Sequence, residues 1–208
     1  MSSQNKPLLL LLHGGYWRTK HGPEHLVPLA QALGDQGFEV ELPEYKRMPG
    51  DPYLTLEDIK SILDRHTEQD VIVVGFSAGG QFALLLASNY PNIKGILAIA
   101  PVTDLIKTEE LGLGENATKE WLTQSASHYP DLDPNLCPSP AIPIIFLHGD
   151  LDLRVPLDLS VAYVEGRKSL GVDIELIQIN EIGHFEIIDP ESIAFPEILK
   201  ALAVLCGD

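Results

Sequence analysis

The 208 residues suffice for one domain with a sizeable core, and 45% hydrophobic with 21% charged residues is ordinary for a soluble globular chain. The net charge of −16 argues against nucleic acid and anionic membrane as partners, although the potential at a site can differ from the global charge. No apolar run reaches the roughly 18 residues needed to cross a membrane, and two cysteines, Cys137 and Cys206, give neither a disulfide framework nor a metal knuckle, so free thiols in the cytoplasm are expected.

Leu8 to Leu12 is a short apolar run that ends in His13-Gly14-Gly15-Tyr16-Trp17. It reads as a buried strand feeding a loop, not as the core of a signal peptide, because no small-residue cleavage site follows. Leu26, Val27, Ala30 and Leu33 have helical spacing, with Pro23 at the start and Gly37 at the exit. Residues 38–42 predict a strand and 44–52, rich in Pro, a loop. Thr55 and Asp58 resemble a capping pair for a helix carrying Leu56, Ile59, Ile62 and Leu63. A strand at 71–74 runs into Gly75-Phe76-Ser77-Ala78-Gly79 and a helix reaching Tyr90. Strands are expected at 93–100, 142–147 and 172–179, and helices at 156–170 and 195–205. Residues 101–141 hold Pro130, Pro134, Pro138 and Pro140 and predict one short helix near 119–127. Alternating strands and helices predict an α/β fold, with a mostly parallel six-stranded sheet covered by helices on both faces.

The chemistry-bearing residues fall at the ends of these strands. Strand, G-x-S-x-G, helix is the context in which a tight turn lifts a serine hydroxyl clear of the backbone, which makes Ser77 the candidate nucleophile. A neutral hydroxyl needs a base, and His184 in Gly183-His184-Phe185 follows a later strand. An acid must orient that imidazole. Asp150, Asp152 and Asp158 compete for the role. Backbone N–H groups of Ala78 and of Gly15 or Tyr16 are candidates for an oxyanion hole. Trp17, Trp121 and Phe185 are candidate pocket residues, with core packing an equal reading for Trp17. His13 and His148 each precede glycine at a strand end and are expected to brace loops. His21 and His25 are four apart but lack the H-E-x-x-H pattern, so no metal is expected.

With these motifs in the order Ser, Asp, His, the chain resembles the α/β-hydrolase superfamily over nearly all its length. His13-Gly14-Gly15-Tyr16-Trp17 and Gly183-His184-Phe185-Glu186 are similar to motifs of the kynurenine formamidase (arylformamidase) and carboxylesterase-like group. The run from His148 to Pro156 matches the His-Gly-x-x-Asp-x-x-Val-Pro family pattern, which favours Asp152 as the acid and leaves Asp150 as a turn residue; with Ser77-Ala78-Gly79-Gly80 it is similar to prolyl-oligopeptidase-like hydrolases. Tyr45-Lys46-Arg47-Met48-Pro49 resembles a loop of hormone-sensitive-lipase-like esterases. Two departures are Phe76 where His or Asp is usual, and Tyr16 in place of a third glycine.

The resemblance implies a trimmed α/β-hydrolase fold, lacking the first two strands and with a minimal cap at 101–141. It implies a cofactor-independent serine hydrolase of small carboxylic esters or aryl formamides. The partner is then a small-molecule ester or amide, with no nucleic acid and no membrane; an edge strand leaves a homodimer open. A small exopeptidase or amidase, and a ligand-binding protein that keeps the fold without turnover, are the alternative readings.

Overall fold

A computed structural model describes residues 6–207. Six strands form one parallel sheet: β1 (Leu8–Leu12), β2 (Val40–Glu41), β3 (Val71–Phe76), β4 (Ile93–Ile99), β5 (Ile144–Gly149) and β6 (Ile174–Ile179). Their spatial order is β2-β1-β3-β4-β5-β6. β1 runs beside β3 in register from Leu8↔Val71 to Leu12↔Gly75. The order reverses at β1, so the loops leaving β1 and β3 diverge and open a crevice at their carboxyl ends, the usual ligand position in such sheets.

The apolar runs of the central strands β1 and β3 are continuous because both faces of the sheet are covered there. On one face Leu8, Leu10, Leu12, Val71 and Val73 pack with α2 (Pro52–Leu63), α3 (Ala78–Leu86) and α6 (Leu157–Ser169). On the other, Leu9, Leu11, Ile72, Val74 and Phe76 meet α1 (Val27–Asp35) and α7 (Phe195–Cys206). The period-two alternation of strand side chains sends neighbouring residues to different cores.

Three local expectations are corrected. Thr55 does not cap α2; the helix begins three residues earlier, where the Asp51 side chain accepts from the Leu54 N–H and Pro52 takes the first turn. Thr55 is buried inside the helix, while Asp58 accepts from the Lys46 N–H. The strand expected at 38–42 shortens to Val40–Glu41, as befits an edge with one partner. In the segment 101–141 the helices are α4 (Leu105–Glu110) and α5 (Leu113–Trp121), ahead of the expected position. α5 opens in a left-handed turn at Gly114, Glu115 and Asn116, and residues 126–128 and 130–132 make only single 3-10 turns. Among the described residues no helix is long and apolar enough to cross a membrane.

Candidate active site

Ser77 sits between β3 and α3 with φ 55° and ψ −120°, outside the regions a non-glycine residue prefers. Its backbone is clamped: its N–H donates to the Ile99 carbonyl at 2.9 Å, and its carbonyl accepts from the N–H groups of Gly80 (3.0 Å) and Val102 (3.1 Å). The glycine at 79 is a matter of space. A Cβ there would lie 2.0 Å from the Leu12 carbonyl oxygen, so the elbow packs directly on the end of β1. This brings the loop after β1 beside the serine.

Asp152 and His184 come from the loops after β5 and β6. The His184 Nδ1–H donates to Asp152 Oδ2 at 2.6 Å. Asp152 Oδ1 accepts from the N–H groups of Arg154 (2.8 Å) and Val155 (2.9 Å). Burial pushes this carboxyl up, but hydrogen bonds from His148, His184 and the Val155 N–H outweigh it and hold the group well below the usual carboxylate range. Asp152 therefore stays ionised, and the His184 tautomer leaves Nε2 free to take a proton. The competing aspartates stand elsewhere. Asp150 accepts from the Glu181 N–H at 2.6 Å, a turn brace, and Asp158 is exposed in the first turn of α6.

Ser77, His184, Gly15 and Tyr16 open onto one cavity of about 390 Å³. Phe76 links its two sides, its ring centroid 4.7 Å from that of His184. Ala78 begins α3, so its N–H has no acceptor within the helix. Gly15 (φ 118°) and Tyr16 (φ 49°) have left-handed backbones that turn the β1 loop over this space. The loop is braced from below. His13 Nδ1 donates to the Gly14 carbonyl at 2.8 Å, and its Nε2 accepts from Arg47 Nη1 at 2.7 Å. A guanidinium cannot accept, so the imidazole must be neutral. Burial, with the Arg47 charge adding to it, lowers the His13 pKa to about 4. Tyr45 stacks on the His13 ring and its hydroxyl donates to the His13 carbonyl.

Of the three aromatic residues expected in the pocket, Phe185 lines the cavity. Trp121 is corrected to a core residue, and of the two readings of Trp17 the core one holds in place of the pocket one. Each is 2% exposed, their rings stack at 4.5 Å, and Trp17 Nε1 donates to Gln81 Oε1 at 2.8 Å. The left-handed backbone at Tyr16 and Trp17 turns the indole inward beneath the loop, which decides between the two readings that residue type left open.

Sequence reasoning expected His148 to brace a loop, as its bond to the Val155 carbonyl does, but missed its approach to Asp152, and it missed Arg154, Arg18, Lys20 and His25 as residues of the cavity. His148 is fully buried, with Nε2 3.3 Å from Asp152 Oδ2 and 2.9 Å from the Val155 carbonyl, and Nδ1 2.8 Å from Ser160 Oγ. Arg154, Arg18 and Lys20 line the cavity, and His25 borders it against Phe76 with ring centroids 5.6 Å apart. The proximity of Arg154 to Asp152 in the chain was the available signal; Arg18 and Lys20 had none beyond following the glycine loop.

A sequence model of the alpha/beta hydrolase family matches residues 9–171. No curated protein sequence matches the chain. Among solved structures, an acetyl ester-xyloside bifunctional hydrolase from Caldicellulosiruptor lactoaceticus is 20% identical with a TM-score of 0.80, covering 100% of this chain and 85% of its own. A hyperthermophilic esterase from Pyrobaculum calidifontis is 16% identical at a TM-score of 0.80, with 100% and 78% covered. Carboxyl esterase 2 from Tuber melanosporum is 18% identical at 0.77, with 99% and 80% covered. At these identities the likeness is one of fold. The match over residues 9–171 and the parallel sheet place this chain in the alpha/beta hydrolase family.

Proposed function

We propose that the protein is a serine hydrolase of small carboxylic esters and activated amides, aryl formamides included. One observation carries the reading: the His184 Nδ1–H bonded to Asp152 at 2.6 Å, in a cavity shared with the strained Ser77. In this reading Ser77 Oγ attacks the carbonyl carbon while His184 Nε2 takes its proton. Asp152 holds the tautomer and stabilises the imidazolium. The N–H of Ala78 with that of Gly15 or Tyr16 stabilises the tetrahedral oxyanion. His184 then protonates the leaving group, and water, activated by the same imidazole, releases the acid from Ser77. Nothing in this cycle needs a cofactor. The esterase names of the structural neighbours agree with it.

The test is turnover of p-nitrophenyl acetate beside N-formylkynurenine by the parent and by Ser77→Ala. Hydrolysis of either that falls by at least ~10³-fold in the variant is the expected result. Equal rates in parent and variant would overturn the reading.

A further inference from the structure

The chain carries 30 Asp and Glu against 14 Lys and Arg. The cavity at Ser77 reverses that ratio: Arg18, Lys20 and Arg154 line it, against Glu115 alone among the acidic residues. Lys20 and Arg154 are themselves exposed at its mouth, and such a local inversion beside the reacting groups bears on a substrate more directly than the global charge.

The three cations are not equivalent. Arg18 already holds Glu120 by two bonds, Nε to Oε2 at 2.7 Å and Nη2 to Oε1 at 2.8 Å, and lies 3.6 Å from Glu115 Oε2. That pairing also offsets the one carboxylate of the lining. Arg154 and Lys20 have no ion-pair partner among the described residues. The backbone of Arg154 is fixed on both sides: its N–H donates to Asp152 Oδ1 at 2.8 Å and its carbonyl accepts from the Tyr16 hydroxyl at 2.5 Å. Its guanidinium lies 5.1 Å from the Phe185 ring centroid, next in sequence to His184. The cation is thus held between the loops of the acid and the base, with its planar fork of donors free. The convergence is felt at the rim. The His21 imidazole is pushed down by burial and then by the charges of Lys20, Arg18, Arg154 and Arg47.

We propose that the substrate carries a carboxylate beside its scissile ester or amide, and that Arg154, seconded by Lys20, binds it and sets specificity. A guanidinium takes a carboxylate through two parallel N–H···O bonds, which a neutral ester cannot return. This rests on the hydrolase reading above.

The test uses two matched pairs of esters. One places the charge on the leaving group, 4-acetoxybenzoate against its methyl ester. The other places it on the acyl side, 4-nitrophenyl hydrogen adipate against methyl 4-nitrophenyl adipate. The expected result is a kcat/KM about tenfold higher for the charged member of at least one pair, weakening as salt is raised. The ratio falls toward one in Arg154→Gln, and Arg154→Lys keeps part of it; a ratio cancels any general damage to the enzyme. Ser77-dependent turnover with no preference for either charged ester would overturn this inference and leave the hydrolase reading standing. So would a preference that survives Arg154→Gln. Absence of Ser77-dependent turnover of all four esters would overturn both.

Discussion

His148 Nε2 lies 3.3 Å from Asp152 Oδ2, the same oxygen that His184 Nδ1–H reaches at 2.6 Å. Two imidazoles thus converge on one buried carboxylate oxygen. Their roles differ. His148 is closed in by Ser160 Oγ and the Val155 carbonyl, whereas His184 faces the cavity. His148 is a positioning residue, holding the carboxylate against rotation through the loop that also supplies the Val155 N–H. His148→Gln is expected to lower kcat about tenfold with KM little changed, since the group touches no substrate. A change in KM at constant kcat would contradict this role.

Much of this arrangement was legible in the sequence. Strands β1, β3 and β5 are buried at every position and β4 at all but Lys94, so apolar runs marked them, and glycines or proline marked their ends. The spacing of the His-Gly-x-x-Asp motif separated Asp152 from Asp150, and the structure shows why: a turn needs the one at Glu181, and His184 meets the other. What sequence did not supply was long-range pairing. Nothing local tells Trp17 that Trp121 will stack on it 104 residues away, or that Gln81 will take its N–H. Nor does Arg18 announce that Glu120 will neutralise it while Arg154 has no ion-pair partner among the described residues.

The contrast between two glycines tests the packing. A Cβ at Gly79 would lie 2.0 Å from the Leu12 oxygen and 2.5 Å from its carbonyl carbon, and backbone cannot yield as a flexible side chain can. Gly79→Ala is expected to cost at least about 3 kcal/mol in urea unfolding, with activity lost. Gly166 lies inside α6 and a Cβ there meets nothing within 4 Å. Gly166→Ala is expected to stabilise the protein by about 0.5–1 kcal/mol with activity unchanged. Equal effects of the two substitutions would contradict the close approach of the elbow to β1.

The neutral His13 gives stability a pH dependence with a defined sign. Its pKa is about 4 in the folded protein and 6.5 as the ordinary value, so the unfolded chain binds the extra proton between those limits. Stability must therefore fall as pH drops from 6.5 to 4, by up to about 3 kcal/mol from this group. Asp133 acts oppositely. Burial raises it from 3.8 to about 6, so its contribution is present at low pH and lost as pH rises through 6. The observable is thus the difference between parent and His13→Gln, measured by urea unfolding at pH 7 and pH 4.5. The parent is expected to lose more stability than the variant over that interval. Parallel losses would mean that His13 is charged in the folded state, and the Arg47 bond to its Nε2 would then be wrong.

The central claim is that Ser77 is a nucleophile activated by His184 and Asp152, and covalent labelling tests it most directly. The protein is incubated with diisopropyl fluorophosphate and its intact mass and peptide map are measured. The account predicts one phosphoryl adduct, on Ser77, absent from Ser77→Ala and formed at least ~100-fold more slowly in His184→Ala. An unmodified Ser77 in the folded parent, or labelling at the same rate without His184, would contradict it.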